Sequence, residues 1–408
     1  MIIKLYKKIF FTLFFLGIFT QPILAANENW EQLYSRVDAI MPKISFMNIN
    51  ADKGLETMRI SKFDVGRSYR GNKRPPNILI KDGFLYMLDS NNTIAVFSLD
   101  RRRVIKRFPL REQRRATASG MAVYENNLYI TFENGILLSF SLAANEINWT
   151  VNVGLPINSA PVVSNNEVFF VANNTVYAVS TTSGNILWNH IGSKAGVSLR
   201  MLFAPSVYSG YLFLGLSSSD VLVLRQEQGN LFFRTNISNT GAVSFRLNPL
   251  MGDIKSPIIP FNGNIIVGSN NRIVMFSLAN QREVWRNTQI GTYSTPIISN
   301  NSILLISTTG NLVSLNANTG AANWSNALTT RVRTKRRIFW YGPVEFNNQL
   351  FIANSVGEIM LVDKSNGNLL SYRRLFTLNK ERVFSPPVIT DSYIAVFSNY
   401  GNLYISRN

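Results

Sequence analysis

Residues 294–324 read STPIISNNSILLISTTGNLVSLNANTGAANW, and the fold turns on this stretch. A small residue and a proline open it. The apolar pair Ile297-Ile298 follows, and Asn300-Asn301 makes a turn. A second apolar run covers Ile303 to Ile306. A turn at Gly310-Asn311 leads into a third run, Leu312 to Leu315, and then to Asn-Thr-Gly and Trp324. Short β-branched runs joined by Asn and Gly turns are hairpin chemistry. Three strands cannot cover both of their own faces, so such a unit must stack against neighbours.

Seven more stretches follow the same order. They begin near Pro76, Gly120, Ser159, Ala204, Lys255, Tyr341 and Ser385, the first being degenerate and the last truncated at Ser406. Taking Asn77, Met121, Pro161, Pro205, Pro257, Pro296, Pro343 and Pro387 as equivalent gives a step of about 44 residues, inside the roughly 40–45 of a propeller blade. An armadillo-type array has a similar period but needs 3.6-residue periodicity, which these runs lack. The expected fold is therefore all-β: an eight-bladed β-propeller of four-stranded antiparallel blades over residues 55–408. The last copy stops after its third strand, and a ring must close or leave an open edge. Residues near Met58–Val65 are expected to supply the missing outer strand of the last blade.

The repeat tails AVSTTSGNILW (Ala178–Trp188) and LNANTGAANW (Leu315–Trp324) resemble the tryptophan-docking repeat of pyrroloquinoline-quinone (PQQ) dehydrogenase propellers. Glycine permits a positive-φ turn before the outer strand. The indole can then wedge between blades and bury a large area. Trp149, Trp188, Trp285 and Trp324 are accordingly expected to be structural blade-docking residues.

The chain has 408 residues, 46% of them apolar and 16% charged, and a formal net charge of +18. It has no cysteine, which removes disulfides, thiolate metal sites, cysteine nucleophiles and a lipid anchor on cysteine. Residues 1–26 carry Lys4, Lys7 and Lys8, an apolar core from Ile9 to Phe19, and small residues at Ala25-Ala26. That is the plan of a cleaved signal peptide, too short in its core for a spanning helix. Its removal would leave a net charge of +15. Residues 27–54 form a connector.

The chemistry-bearing residues are sparse. Asp220, Asp253, Asp363 and Asp391 stand apart beside turns, and the lone histidine, His190, follows Trp188 in what reads as a solvated loop. There is no P-loop, GxSxG or metal-spaced His/Glu set. The reading is a non-enzyme with no cofactor. A quinone-dependent dehydrogenase is the alternative enzyme, and a generic periplasmic binding propeller is a third class.

A closer resemblance lies in the connections. Val197-Ser198-Leu199-Arg200, Ala204-Pro205, Glu227-Gln228-Gly229, Ile237-Ser238, Arg246-Leu247 and Gly252-Asp253-Ile254 follow one another in order before Ser256-Pro257. This order and spacing resemble the BamB family, the propeller subunits of the outer-membrane β-barrel assembly machinery. The resemblance implies a periplasmic, non-enzymatic scaffold, monomeric within a complex. It implies that Val197, Leu199, Arg200 and Asp253 contact a POTRA domain of a BamA-like partner, and it leaves room for unfolded outer-membrane protein precursors as a second partner. Lys255 stands where the family has a second acidic residue, and the family's lipid-bearing cysteine has no counterpart. From the residues alone, Leu199 could equally tuck into a blade edge while Arg200 pairs with Asp253.

Two basic runs remain. RRRVIKRFPLREQRR (101–115) includes Arg101, Arg102, Arg103, Arg114 and Arg115, and RVRTKRR (331–337) includes Arg331, Arg333, Lys335, Arg336 and Arg337. In an exported protein such runs point to an anionic membrane surface or an acidic partner rather than nucleic acid, or else are simply solvated loops.

Overall fold

The stretch that opened the sequence forms four strands, Ile297–Ser299, Ser302–Ile306, Asn311–Asn316 and Ala322–Ala327, each paired antiparallel with the next. Asn300 and Asn301 turn the first hairpin at φ of 46° and 61°, the conformation a two-residue type I′ connection requires. The computed structural model describes residues 54, 55, 58–70, 73–192, 203–216, 218–237, 254, 256–334, 337–377, 380–390 and 393–407. Residues 1–53, which hold the expected signal segment and most of the expected connector, lie outside them.

The same four-stranded sheet occurs eight times, in agreement with the repeat count. Blades 1 to 7 each use four consecutive strands, beginning with Leu79–Lys81. Blade 8 takes Val388–Ile389, Tyr393–Phe397 and Asn402–Arg407 from the C-terminal end and Ile60–Asp64 as its outer strand.

The middle strands are covered on both faces, because side chains alternate and each blade meets a neighbour on either side. In blade 5, Ile265, Val267, Val274 and Phe276 pack toward blade 4, while Ile266, Ile273 and Met275 pack toward blade 6. In blade 6, Ile303, Leu305, Val313 and Leu315 complete the second of these cores, and Leu304, Ile306 and Leu312 join blade 7. The unbroken apolar runs of the sequence are thus strands with two buried faces.

The closing strand fills the position expected for it. Its register runs from Ile60 opposite Ser406 to Asp64 opposite Asn402. Phe63 meets Phe97 of blade 1 edge-on at 4.9 Å between ring centroids. Arg102 Nη2 donates to Ser61 Oγ at 2.6 Å, and Arg107 donates to the carbonyls of Asp64 and Val65. Tyr69 then crosses the seam, its hydroxyl donating to Leu88 O at 2.8 Å. On the other side, Leu55 is buried against blade 7 and its N–H donates to Ser371 Oγ at 2.7 Å. Phe63→Ala should therefore lower stability by about 2 kcal/mol in urea unfolding, as expected for a half-buried aromatic. It should also expose the seam to limited proteolysis.

Candidate functional site

Antiparallel order sorts the loops. The turn between the second and third strands of each blade and the connection to the next blade leave from one end of the ring, here called the connection face. The other turns leave from the opposite end. Hydrogen bonds tie the two kinds of loop together on the connection face. Tyr69 N donates to Asn399 O at 2.7 Å, Ser355 N to Phe339 O at 2.8 Å, and Asn92 Nδ2 to Gln113 O at 2.6 Å and Ala116 O at 2.9 Å.

Under this face the sheets bury charged groups. Glu358, fully buried at the start of a third strand, accepts from Thr330 Oγ1 at 2.6 Å, the Arg331 N–H at 3.0 Å, Tyr372 OH at 2.7 Å and Asn354 Nδ2. It thereby fixes the root of the connection between blades 6 and 7. Glu381 accepts from Ser398 Oγ, Asn402 Nδ2 and Tyr404 OH and fixes the next connection. Asp220 accepts from Ser218 Oγ, Arg234 Nη2 and Asn236 Nδ2. Arg272, 3% exposed, donates through Nη1 to Ile237 O at 3.1 Å, and its burial lowers its affinity for the proton. Burial first, and the adjacent carboxylates second, push the hydroxyls of Tyr372 and Tyr404 well above the usual tyrosine range. These anchors escaped the sequence reading. For Glu358, Asp220 and Arg272 the only signal there is a charged residue at the head of an otherwise apolar third run, and Glu381, within a connection, has none.

Each docking tryptophan lies on an outer strand, against a turn of the next blade. Trp149 Nε1 donates to Thr181 O at 2.9 Å, Trp188 Nε1 to Gln226 O at 3.0 Å and Trp285 Nε1 to Ala317 O at 2.9 Å. The rings rest on glycines. A Cβ on Gly184 would meet Trp149 at 2.8 Å, and one on Gly229 would meet Trp188 at 2.4 Å. Gly320 under Trp285 and Gly367 under Trp324 repeat the arrangement. These glycines therefore answer two demands, a positive φ and the absence of a side chain beneath an indole. Where the tryptophan is replaced, so is the glycine. Lys106 of blade 1 reaches Asn145 of the next turn, and the Phe232-Phe233 strand faces Gln281.

The sequence-derived partner residues Val197, Leu199, Arg200 and Asp253 lie outside the described residues, as do Lys335 and Arg336. The flanks of their connections are described and firmly held. Gly192 N donates to Asn174 O at 3.0 Å, Ile237 and Ile254 are buried, and Ile254 bridges to Ser269. The run 101–115 is divided: residues Arg103–Pro109 form the outer strand of blade 1 rather than a loop. Arg101, Arg102 and Arg103 sit at the end away from the connection face, and Arg114 and Arg115 sit on it. Arg331, Arg333 and Arg337 share that face. His190 is in the outer strand Ile186–Ile191, paired opposite Val176, and not in a loop.

Among the described residues, no group of three His, Asp or Glu is placed to hold a metal ion, and no helix is long and apolar enough to cross a membrane. What the geometry defines is a closed eight-bladed ring that holds its interblade connections on buried polar anchors. The family described as outer membrane protein assembly factor BamB matches residues 90–326, more than half of the chain, and the chain belongs to that family. BamB of Yersinia pestis is 23% identical over 70% of this chain and 70% of its own length. BamB of Escherichia coli K12 is 21% identical over 51% of this chain and 50% of its own. Among solved structures, BamB from Moraxella catarrhalis matches with a TM-score of 0.69 at 12% identity, covering 86% of this chain and all of the other. Quinohemoprotein alcohol dehydrogenase from Comamonas testosteroni matches at 0.64 and 11% identity, covering 86% and 77%. Likeness at these identities shows shared ring architecture alone.

Two outcomes follow from the buried anchors. Glu358→Ala strips the acceptor from Thr330, Asn354 and Tyr372 together, and should cost about 3 kcal/mol in denaturant unfolding. It should also speed tryptic cleavage between Arg331 and Arg337. Tyr69 and Tyr404 have raised affinities for their protons in the folded state, chiefly through burial. The stability tied to them is complete below the ordinary tyrosine range and is lost as the pH climbs above it. Unfolding free energy should fall above pH ~10 by up to about 1.4 kcal/mol per pH unit per tyrosine. Tyr404→Phe should flatten that slope.

Proposed function

We propose that this protein is a non-enzymatic periplasmic scaffold of outer-membrane protein assembly, which docks a POTRA domain of a BamA-like barrel subunit and so assists barrel insertion. The observation that carries the reading is the family match, which runs through both connections bearing the partner residues. Ring order supports it. Residues 193–202 join blades 3 and 4, and residues 238–253 join blades 4 and 5, so the two connections belong to consecutive junctions. Arg272 and Ile254 hold the second at its roots. In this reading Val197 and Leu199 supply an apolar anchor, Arg200 offers its planar fork to a partner carboxylate, and Asp253 sets the sign of the neighbouring surface. Residues 1–26 direct export.

Arg200→Glu should weaken co-purification with the BamA-like subunit by ~30-fold or more, because it places like charges in contact. Circular dichroism of the variant should match the parent. Retention at parental strength would remove this surface from the interface.

A further inference from the structure

The connection face is electrically lopsided. Four consecutive connections, spanning the junctions from blades 6–7 round to blades 1–2, contain RVRTKRR (331–337), KER (380–382), RSYRGNKR (67–74) and REQRR (111–115). Elsewhere on the ring, the connections 153–161 and 288–296 carry no charged residue at all. Ring closure makes this one patch. The 67–74 segment is remote in sequence from 331–337 and 380–382 and is brought beside them only because Ile60–Asp64 completes blade 8. Lys73 Nζ reaches Arg115 O at 3.4 Å, joining two of the four segments directly. Among their described residues, Glu112 is the one exposed acid, since Glu381 is buried beneath its own connection.

Several of these cations are held in place. The guanidinium of Arg331 lies 4.6 Å from the ring centre of Tyr372, that of Arg337 lies 4.7 Å from Phe339, and that of Arg74 lies 5.4 Å from Phe384. An aromatic face supports a guanidinium plane and holds its positive charge at a fixed place on the connection. None of the large exposed apolar side chains among the described residues lies on these four connections. A specific protein interface is built around a buried apolar centre with aromatic or aliphatic anchors. A broad array of cations without such a centre suits a layer of anionic headgroups, where each basic residue adds its own increment of attraction.

We propose that this basic crescent, centred on blade 8, binds the phosphate groups of an anionic lipid surface. It lies across the ring from blade 4, whose flanking connections carry the proposed partner-docking residues, so the two contacts use opposite halves of one face. The lipid contact stands independently of the docking reading.

The test uses the full-length mature chain in flotation with vesicles of phosphatidylethanolamine and phosphatidylglycerol, against vesicles of phosphatidylcholine. The parent should float with the anionic vesicles alone, and should be released as salt shortens the Debye length. The triple variant Arg70→Glu, Arg115→Glu, Arg333→Glu should bind at least about a hundredfold more weakly. The triple variant Arg101→Glu, Arg103→Glu, Arg282→Glu changes the net charge equally at the opposite end of the ring, and should stay within about threefold of the parent. Thermal unfolding confirms that both fold. Equal losses in the two variants would reduce the effect to net charge and overturn the proposal. So would failure of the parent to float, salt-insensitive flotation, or preference for an acidic polypeptide over the anionic vesicles. Binding of Arg200→Glu to vesicles at parental strength separates this result from the partner-docking test.

Discussion

An indole lying on a bare glycine turn of the next blade is the contact on which the architecture rests. A four-stranded sheet with apolar residues on both faces has no independent existence in water, so each blade must be sealed on both sides. Trp149, Trp188, Trp285 and Trp324 do this at four junctions, combining a large buried surface with a hydrogen bond or close packing at a fixed point. The contact sets the distance between sheets as well as their adhesion, because a single methyl group at Gly184 or Gly229 would already collide with the ring. Junctions that lack the pair substitute polar contacts, as Lys106 does with Asn145.

Much of this ring could be read from the chain. Asn300-Asn301 and its counterparts announce two-residue hairpins because few residues other than asparagine and glycine accept left-handed backbone angles. The truncated last copy announced a borrowed strand because a propeller cannot tolerate an unpaired edge. Buried charges were less legible. Glu358 and Arg272 read as surface residues until the fold supplies partners from connections tens of residues away. The run 101–115 misled for a related reason. A linear cluster of charge says nothing of direction, and the seven-residue strand Arg103–Pro109 carries its two ends to opposite sides of the ring. Part of that run, Arg102 and Arg107, is spent on the closing strand itself. The proposed partner residues came from family resemblance and position alone, since no local pattern marks Leu199 or Arg200 as exposed.

The ring divides by chemistry as well as by repeat. Around blade 4 lies the longest connection, the one to blade 5, with 52 residues between equivalent prolines, and it is rooted on Asp220, Arg272 and Ile254. Around blade 8 the connections are basic, with guanidinium groups supported on aromatic faces. Rigid sheets beneath both halves keep them at constant separation, which loops on a flexible scaffold could not do.

The pairing of Ile60 with Ser406 joins residues from nearly opposite ends of the polypeptide. Loop-closure entropy makes such a contact the most expensive in the molecule to form and among the last to form. Until it forms, seven sheets can be complete while the eighth lacks its margin, with one edge of Asn402–Arg407 unpaired. Removing Ile60–Asp64 would leave the last sheet with an open margin, the kind of edge to which extended chains add.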